Sequence, residues 1–222
     1  MVGIATVDGF EDAPRGTRPT DLMAECGSVV VFAMKHLDAF TTTQDLACQA
    51  YSQDIMNREV LHQAYRISRF IERHGYVAFP MVASVTMWPF VHDKEQIAGR
   101  ISLRHAAQIA GLGHIGRNAM LVTPEFGPRV QLGAILTDAR LPASPSLTRN
   151  PCNACGTCIK HCPSGALRAP DAPAEYSTVE ADTCKAFRRV HGGSSPLGYP
   201  DACGICRAVC PVGQGARGRR SS

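Results

Sequence analysis

Apolar and polar positions alternate along this chain in patterns that change several times. Residues 27–34, Gly27-Ser28-Val29-Val30-Val31-Phe32-Ala33-Met34, form a short, β-branched apolar run and predict a first, buried core strand. After Thr41-Thr42-Thr43, a predicted N-cap cluster, apolar positions recur between Gln44 and Arg73 at Leu46, Ile55, Val60, Leu61, Tyr65, Ile67, Phe70 and Ile71. Their helical spacing, with Gly75 as C-cap, predicts one long helix or two. Residues 76–84 read as a second strand, and Pro80, which has no N–H for a ladder, predicts an edge or a strand end. A helix is expected over 102–110, stopped by Gly111. Strands are expected over 119–123 and 129–137, joined by the turn Pro124-Glu125-Phe126-Gly127-Pro128.

Helices interleaved with strands predict an α/β layer. From Leu141 to Pro151 the chain turns to Pro, Ser, Thr and Ala without periodicity, which predicts a domain boundary. We therefore expect an α/β domain over residues 1–145 and a small second domain over 146–222. The 222 residues, 45% hydrophobic and 19% charged, can bury a real core, and no apolar run approaches the roughly 18 residues of a membrane span. The first twenty residues hold Asp8, Glu11 and Asp12 and neither an apolar signal core nor paired arginines, so a soluble, cytoplasmic protein is expected. Net charge is +4, with Arg217, Arg219 and Arg220 in the tail; this reads as a solvated end, and no nucleic-acid or membrane partner is expected.

Ten cysteines change the picture, because eight of them lie between Cys152 and Cys210. In a reducing compartment such crowding points to metal. Cys152-x-x-Cys155-x-x-Cys158-x-x-x-Cys162-Pro163 is the bacterial ferredoxin run, in which three thiolates hold one [4Fe-4S] cluster and the fourth reaches a second cluster. Cys203-x-x-Cys206-x-x-x-Cys210-Pro211 supplies the other half, except that Pro200 stands where a ligand is needed and Cys184 is the substitute. The expected sets are Cys152, Cys155, Cys158 and Cys210, and Cys162, Cys184, Cys203 and Cys206. Gly156, Gly165 and Gly204 would let backbone N–H groups approach the sulfides. Zinc held by four thiolates is the alternative at this point. Cys26 and Cys48 have no ligand spacing and are expected to be buried small hydrophobes.

Gly111-Leu112-Gly113-His114-Ile115-Gly116 satisfies G-x-G-x-x-G, but a dinucleotide site needs a strand before the motif and a helix after it, and here the order is reversed. A tight helix-to-strand turn is expected instead. Residues 110–118 (Ala-Gly-Leu-Gly-His-Ile-Gly-Arg-Asn), 121–130 (Leu-Val-Thr-Pro-Glu-Phe-Gly-Pro-Arg-Val) and Thr137-Asp138 together resemble the corrinoid-dependent iron-sulfur reductases, the group of reductive dehalogenases and epoxyqueuosine reductase. The resemblance continues through residues 152–166 and 203–211 and, more weakly, back to Tyr51.

The resemblance implies a nitroreductase-like α/β domain holding cobalamin against a ferredoxin-like two-cluster domain, with electrons passing through the clusters to cobalt. It implies Tyr51, followed by Ser52 and ahead of Gly75-Tyr76, as proton donor. It implies Gly111, Gly113, Gly116, Arg117 and Arg129 as cofactor contacts, a ferredoxin or flavodoxin as electron donor, and a small-molecule substrate. This chain departs from the group in two places. The segment before the first core strand is much shorter, which leaves three arrangements: cobalamin in a reduced pocket, cobalamin in a homodimer, or a cobalamin-free electron-transfer protein serving a separate reductase. The Asp-Tyr-His element of the epoxyqueuosine branch is replaced by Ala50-Tyr51-Ser52, which points to dehalogenase-like reduction.

Overall fold

A computed structural model describes residues 1–13, 16–82, 101–169, 178–191 and 203–214. In chain order the elements are β1 (Val2–Thr6), α1 (Pro19–Leu22), β2 (Ser28–Lys35), α2 (Asp38–Thr42), α3 (Leu46–Arg73), β3 (Ala78–Val82), α4 (Leu103–Ile109), β4 (His114–Ile115), β5 (Leu121–Val122), β6 (Val130–Thr137), α5 (Thr157–Lys160), β7 (Leu167–Arg168), β8 (Thr178–Val179), α6 (Ala181–His191) and α7 (Ile205–Ala208). The α/β class expected from the sequence holds. The basic tail, Pro200 and the end of the expected strand 76–84 lie outside the described residues.

Two compact units share the chain. One contains residues 1–34, 57–112 and 131–148; the other contains 35–56, 113–130 and 149–222. They are not consecutive stretches, as a single boundary near residue 145 would make them. The second, cysteine-bearing unit also takes in α2, the start of α3 and the β4–β5 ribbon.

The first unit is built on a four-stranded sheet in the order β1-β2-β6-β3. Val29 and Val31 of β2 are fully buried and Val30 and Phe32 nearly so, as a strand covered on both faces requires. Val30, Phe32 and Ile135 meet Val60 and Ala64 of α3 to form a core cluster, with Ile67 and Ile71 of α3 packed around it. Gly133 lies beneath Phe32 and Val60, where any side chain would push the helix off the sheet. β3 is an edge strand and pairs antiparallel with β6, so Pro80 removes a donor where the sheet can spare one.

Two differences from expectation have clear causes. β1, antiparallel to β2 with Val2 opposite Phe32, was not anticipated because its inward residues are the small ones: Gly3 and Ala5 are buried while Val2 is exposed. Gly3 lies against Ala110 and Leu112, which leaves no room for a larger side chain. Nor do the strands on either side of the 124–128 turn pair with each other. β5 pairs with β4 in a separate ribbon, while β6 joins the main sheet.

The long helix is a single helix, and its start is set by Asp45 rather than by the threonines. Asp45 Oδ1 accepts the Cys48 N–H at 2.8 Å, and Thr43 Oγ1 accepts the Asp45 N–H at 3.0 Å. Gly75, at φ +84°, ends it: its N–H reaches Glu72 O at 2.9 Å and the Tyr76 N–H reaches Ile71 O at 3.5 Å, the paired bonds of a left-handed C-terminal cap. Cys26 is buried as expected. Cys48 is exposed, because the third position of α3 faces outward.

Ile135 is fully buried at the centre of the core cluster. Ile135→Ala should lower unfolding stability by about 3–4 kcal/mol in urea titrations; a loss below about 1 kcal/mol would contradict this packing.

Candidate metal centres

The cysteine loop is shaped by local hydrogen bonds. Asn150 Oδ1 accepts the Cys152 N–H at 2.9 Å and Asn153 Oδ1 accepts the Cys155 N–H at 3.3 Å, each turning the chain just before a thiol. Ala154 and Gly156 both take positive φ, 55° and 73°, and the loop then enters α5, which carries Cys158. Beyond α5, the Gly165 N–H reaches back to Cys162 O at 3.1 Å, closing the Cys-Pro turn. In the second motif α7 carries Cys206 and leads directly to Cys210.

These turns gather the thiols into two sets. Cys152, Cys155, Cys158 and Cys210 line one concavity together with Arg117, Asn118 and Val122. Burial pushes the Cys158 thiol up to about 11, and the neighbouring Cys210, Cys152 and Cys155 push in the same direction. Burial likewise raises Cys210, which also feels Cys152 and Cys155. In the other set burial raises Cys203, with Cys184 and Cys162 adding to it. Cys206 is pushed up to about 12 by burial first and by Cys203 next, with smaller contributions from Cys162 and Cys158. Two thiols run the other way. Hydrogen bonds from Thr157 lower Cys155; at Cys162 burial raises the thiol, but hydrogen bonds from Ser164 and the backbone together outweigh it.

Eight thiols that repel one another when ionised are a poor arrangement for a metal-free protein and a good one for a cation. Among the described residues, no three metal-binding side chains crowd to the spacing of a single ion. A cubane is a larger body than one ion and takes its thiolates on separate irons.

The remaining predicted residues fall differently. Arg129 is buried, and its guanidinium donates to Arg207 O at 3.1 Å, to Cys210 O at 2.9 Å and to Val212 O. The structure thus gives Arg129 the duty of clamping the second Cys-Pro loop in place of the expected cofactor contact. The motif glycines admit protein: Gly111 lies against Pro145 O, Gly113 against Val122 O, and Gly116 against Val122 and Cys152. Helix α4 precedes them and β4 follows, so the motif is the helix-to-strand turn expected. Arg117 lines the concavity. Tyr51 is 46% exposed on α3, edge-on to Phe40 with ring centroids 5.8 Å apart, and is not among the residues lining the concavity. Gly156 and Gly165 have open space around the missing side chain, whereas Gly204 lies against Gln49. The sequence reading missed the buried group of Arg207, Gln49, His36 and Ser52, whose one visible signal is an arginine directly after Cys206.

A family model described as a 4Fe-4S double cluster binding domain matches residues 151–213. The epoxyqueuosine reductase of Bacillus anthracis is 26% identical over 220 residues, covering 93% of this chain and 54% of that protein. The tetrachloroethene reductive dehalogenase of Sulfurospirillum multivorans is 28% identical over 219 residues, covering 93% of this chain and 40% of that one. Two solved structures share the fold: an epoxyqueuosine reductase with an epoxyqueuosine-modified tRNA-Tyr stem loop (TM-score 0.63, 21% identity, 97% of this chain and 62% of that one) and a reductive dehalogenase described in terms of B12-dependent dehalogenation (TM-score 0.69, 20% identity, 99% and 31%). Residues 151–213 are therefore a double-cluster iron-sulfur domain, the class that the two thiol sets define. Over most of its length the chain is similar to the epoxyqueuosine reductases and reductive dehalogenases, and it spans about half the length of the epoxyqueuosine reductase it matches. The expectation of no nucleic-acid partner stands against a solved structure of the same fold that carries a tRNA stem loop.

The raised thiols make a pH prediction for the metal-free chain. Unfolded, Cys158 and Cys206 ionise near the ordinary value of 9.0; folded, they hold their protons to about 11 and about 12. A raised folded pKa stabilises the fold below the unfolded value and loses that contribution as pH climbs through the folded one. Metal-free protein should therefore show a falling Tm from about pH 9 to pH 11 in thermal melts, while iron-loaded protein, its thiolates already ionised, should not follow. A metal-free Tm that stays flat over that range would contradict the burial described.

Proposed function

We propose that this chain is an iron-sulfur oxidoreductase in which two [4Fe-4S] clusters relay electrons to a corrinoid-type reductive centre. What supports this reading is the concavity that Cys152, Cys155, Cys158 and Cys210 line together, with Cys184 and Cys162 both acting on Cys203. The proposed ligands are Cys152, Cys155, Cys158 and Cys210 for one cluster, and Cys162, Cys184, Cys203 and Cys206 for the other. The clusters supply one-electron steps, fed by a donor of the ferredoxin or flavodoxin class. The setting we propose is the cytoplasm, where thiols stay reduced; among the described residues no helix is long and apolar enough to cross a membrane.

The protein's own residues do the positioning. Arg129 fixes the Cys210 loop through three carbonyls, and Asn150 and Asn153 set the first two thiols. Tyr51, with its exposed ring braced against Phe40, is the proposed proton donor to the reduced product. The substrate class follows the relatives: a small organohalide, favoured by Ala50-Tyr51-Ser52, or a modified nucleoside carried on RNA.

The corrinoid rests on likeness to the dehalogenases and is not carried by the residues expected to hold it. Gly111, Gly113 and Gly116 face protein and Arg129 is engaged, so of those five only Arg117 fits a role beside a second group. Those engagements favour a second reading, a corrinoid-free electron-transfer protein that serves a separate reductase.

Anaerobic purification with cobalamin supplied, followed by iron, sulfide, cobalt and zinc analysis, tests both readings. Two [4Fe-4S] equivalents with stoichiometric cobalt support the first; the same iron without cobalt supports the second; zinc in place of iron and sulfide overturns both. On the first reading Tyr51→Phe should keep its clusters and their reduction by dithionite while losing about 100-fold or more in turnover. Unchanged turnover would remove Tyr51 from the chemistry.

A further inference from the structure

Arg207 stands directly after Cys206 in α7 and is only 6% exposed. Its guanidinium donates through Nη1 to His36 Nε2 at 2.8 Å and to Gln53 Oε1 at 3.4 Å, and through Nη2 to Gln49 Oε1 at 2.6 Å. The Nε–H is buried without a partner among the described residues. Arginine can only donate, and the same Nη1 lies 2.8 Å from Nε2 and 3.5 Å from Nδ1 of His36, whose Nδ1 is 3.0 Å from Ser52 Oγ, so the ring beside the guanidinium serves as its acceptor. His36 is therefore neutral, and each of the three groups that receive the guanidinium is uncharged.

A buried cation held only by neutral groups needs an anion elsewhere. Among the described residues no carboxylate forms an ion pair with Arg207. Burial pushes its pKa down to about 10 and Arg129 adds to that, while the opposing pull comes from Cys206 and Cys203, members of one thiol set. Space is reserved for the arrangement: a side chain at Gly204 would strike Gln49 and Arg207 together.

We infer that Arg207 is the counter-cation of the cluster that Cys206 ligates, pinned by Gln49 and His36 where it favours the reduced state. The inference rests on the cluster assignment proposed above. When bound, a four-iron cluster on four thiolates would carry two negative charges oxidised and three after accepting one electron from a ferredoxin or flavodoxin, with no bond made or broken. A fixed positive charge in a low-dielectric site stabilises the more negative state and so raises that cluster's potential. Arg207 is thus a positioning residue that acts through the cluster.

The test is a potentiometric titration of the anaerobically loaded full chain, followed by electron paramagnetic resonance, with iron and sulfide measured in every sample. Arg207→Gln removes the charge, and Gln53→Glu leaves the arginine in place but sets a carboxylate against it. Each should disfavour reduction of one cluster by about tenfold or more, a midpoint lowered by about 59 mV for one electron, with the other cluster unmoved; Arg207→Lys should retain most of the wild-type value. Unchanged midpoints at full iron content would overturn the inference, as would equal shifts of both clusters. Should Arg207→Gln fail to load, the Gln53→Glu midpoints decide alone. A wild-type chain that holds no [4Fe-4S] cluster would instead overturn the assignment on which the inference stands.

Discussion

The second unit depends on the enforced closeness of thiols that would repel one another once ionised. Burial and neighbouring thiols raise Cys158 to about 11 and Cys206 to about 12, so a metal-free protein keeps them protonated. A cationic iron-sulfur core reverses that preference by taking the thiolates as ligands, and the loops are shaped for that outcome. Asn150, Asn153 and the positive-φ residues Ala154 and Gly156 turn the first motif, and Arg129 ties down the second from 81 residues away in sequence. The interlock is visible in the thiols themselves: Cys210 acts on the first set, and Cys162 on the second.

Around this interlock the two buried arginines have separate duties. Arg129 spends its donors on carbonyls and fixes geometry. Arg207 spends its donors on neutral side chains and keeps its charge for the thiol set beside it. The first unit is held by different means, apolar burial between the sheet and α3, with Gly133 allowing the helix to lie close.

How much of this was legible in the sequence varied with how local the cause was. The double-cluster motif was readable because ligand spacing is a local constraint of the loop, and the long helix and the β2 run were readable because their burial imposes a period. β1 was not, since its inward positions are Gly3 and Ala5 and carry no apolar signal. Arg129 looked like a cofactor contact because nothing nearby in sequence announces the three carbonyls it reaches. Cys48 looked like core because cysteine usually is, yet the Asp45 cap places it on the outer side of the first turn. The strand after the glycine motif was visible as a strand, but its partner was not, because pairing of β5 with β4 is set by how closely Gly113 lets Val122 approach.

An anaerobic crystal structure of the loaded chain with iron anomalous scattering would locate the iron at both thiol sets. Two four-iron densities are expected, one bonded by Cys152, Cys155, Cys158 and Cys210 and the other by Cys162, Cys184, Cys203 and Cys206. Single-metal density at either set, or Cys210 bonded to the cluster of its own motif, would contradict this assignment.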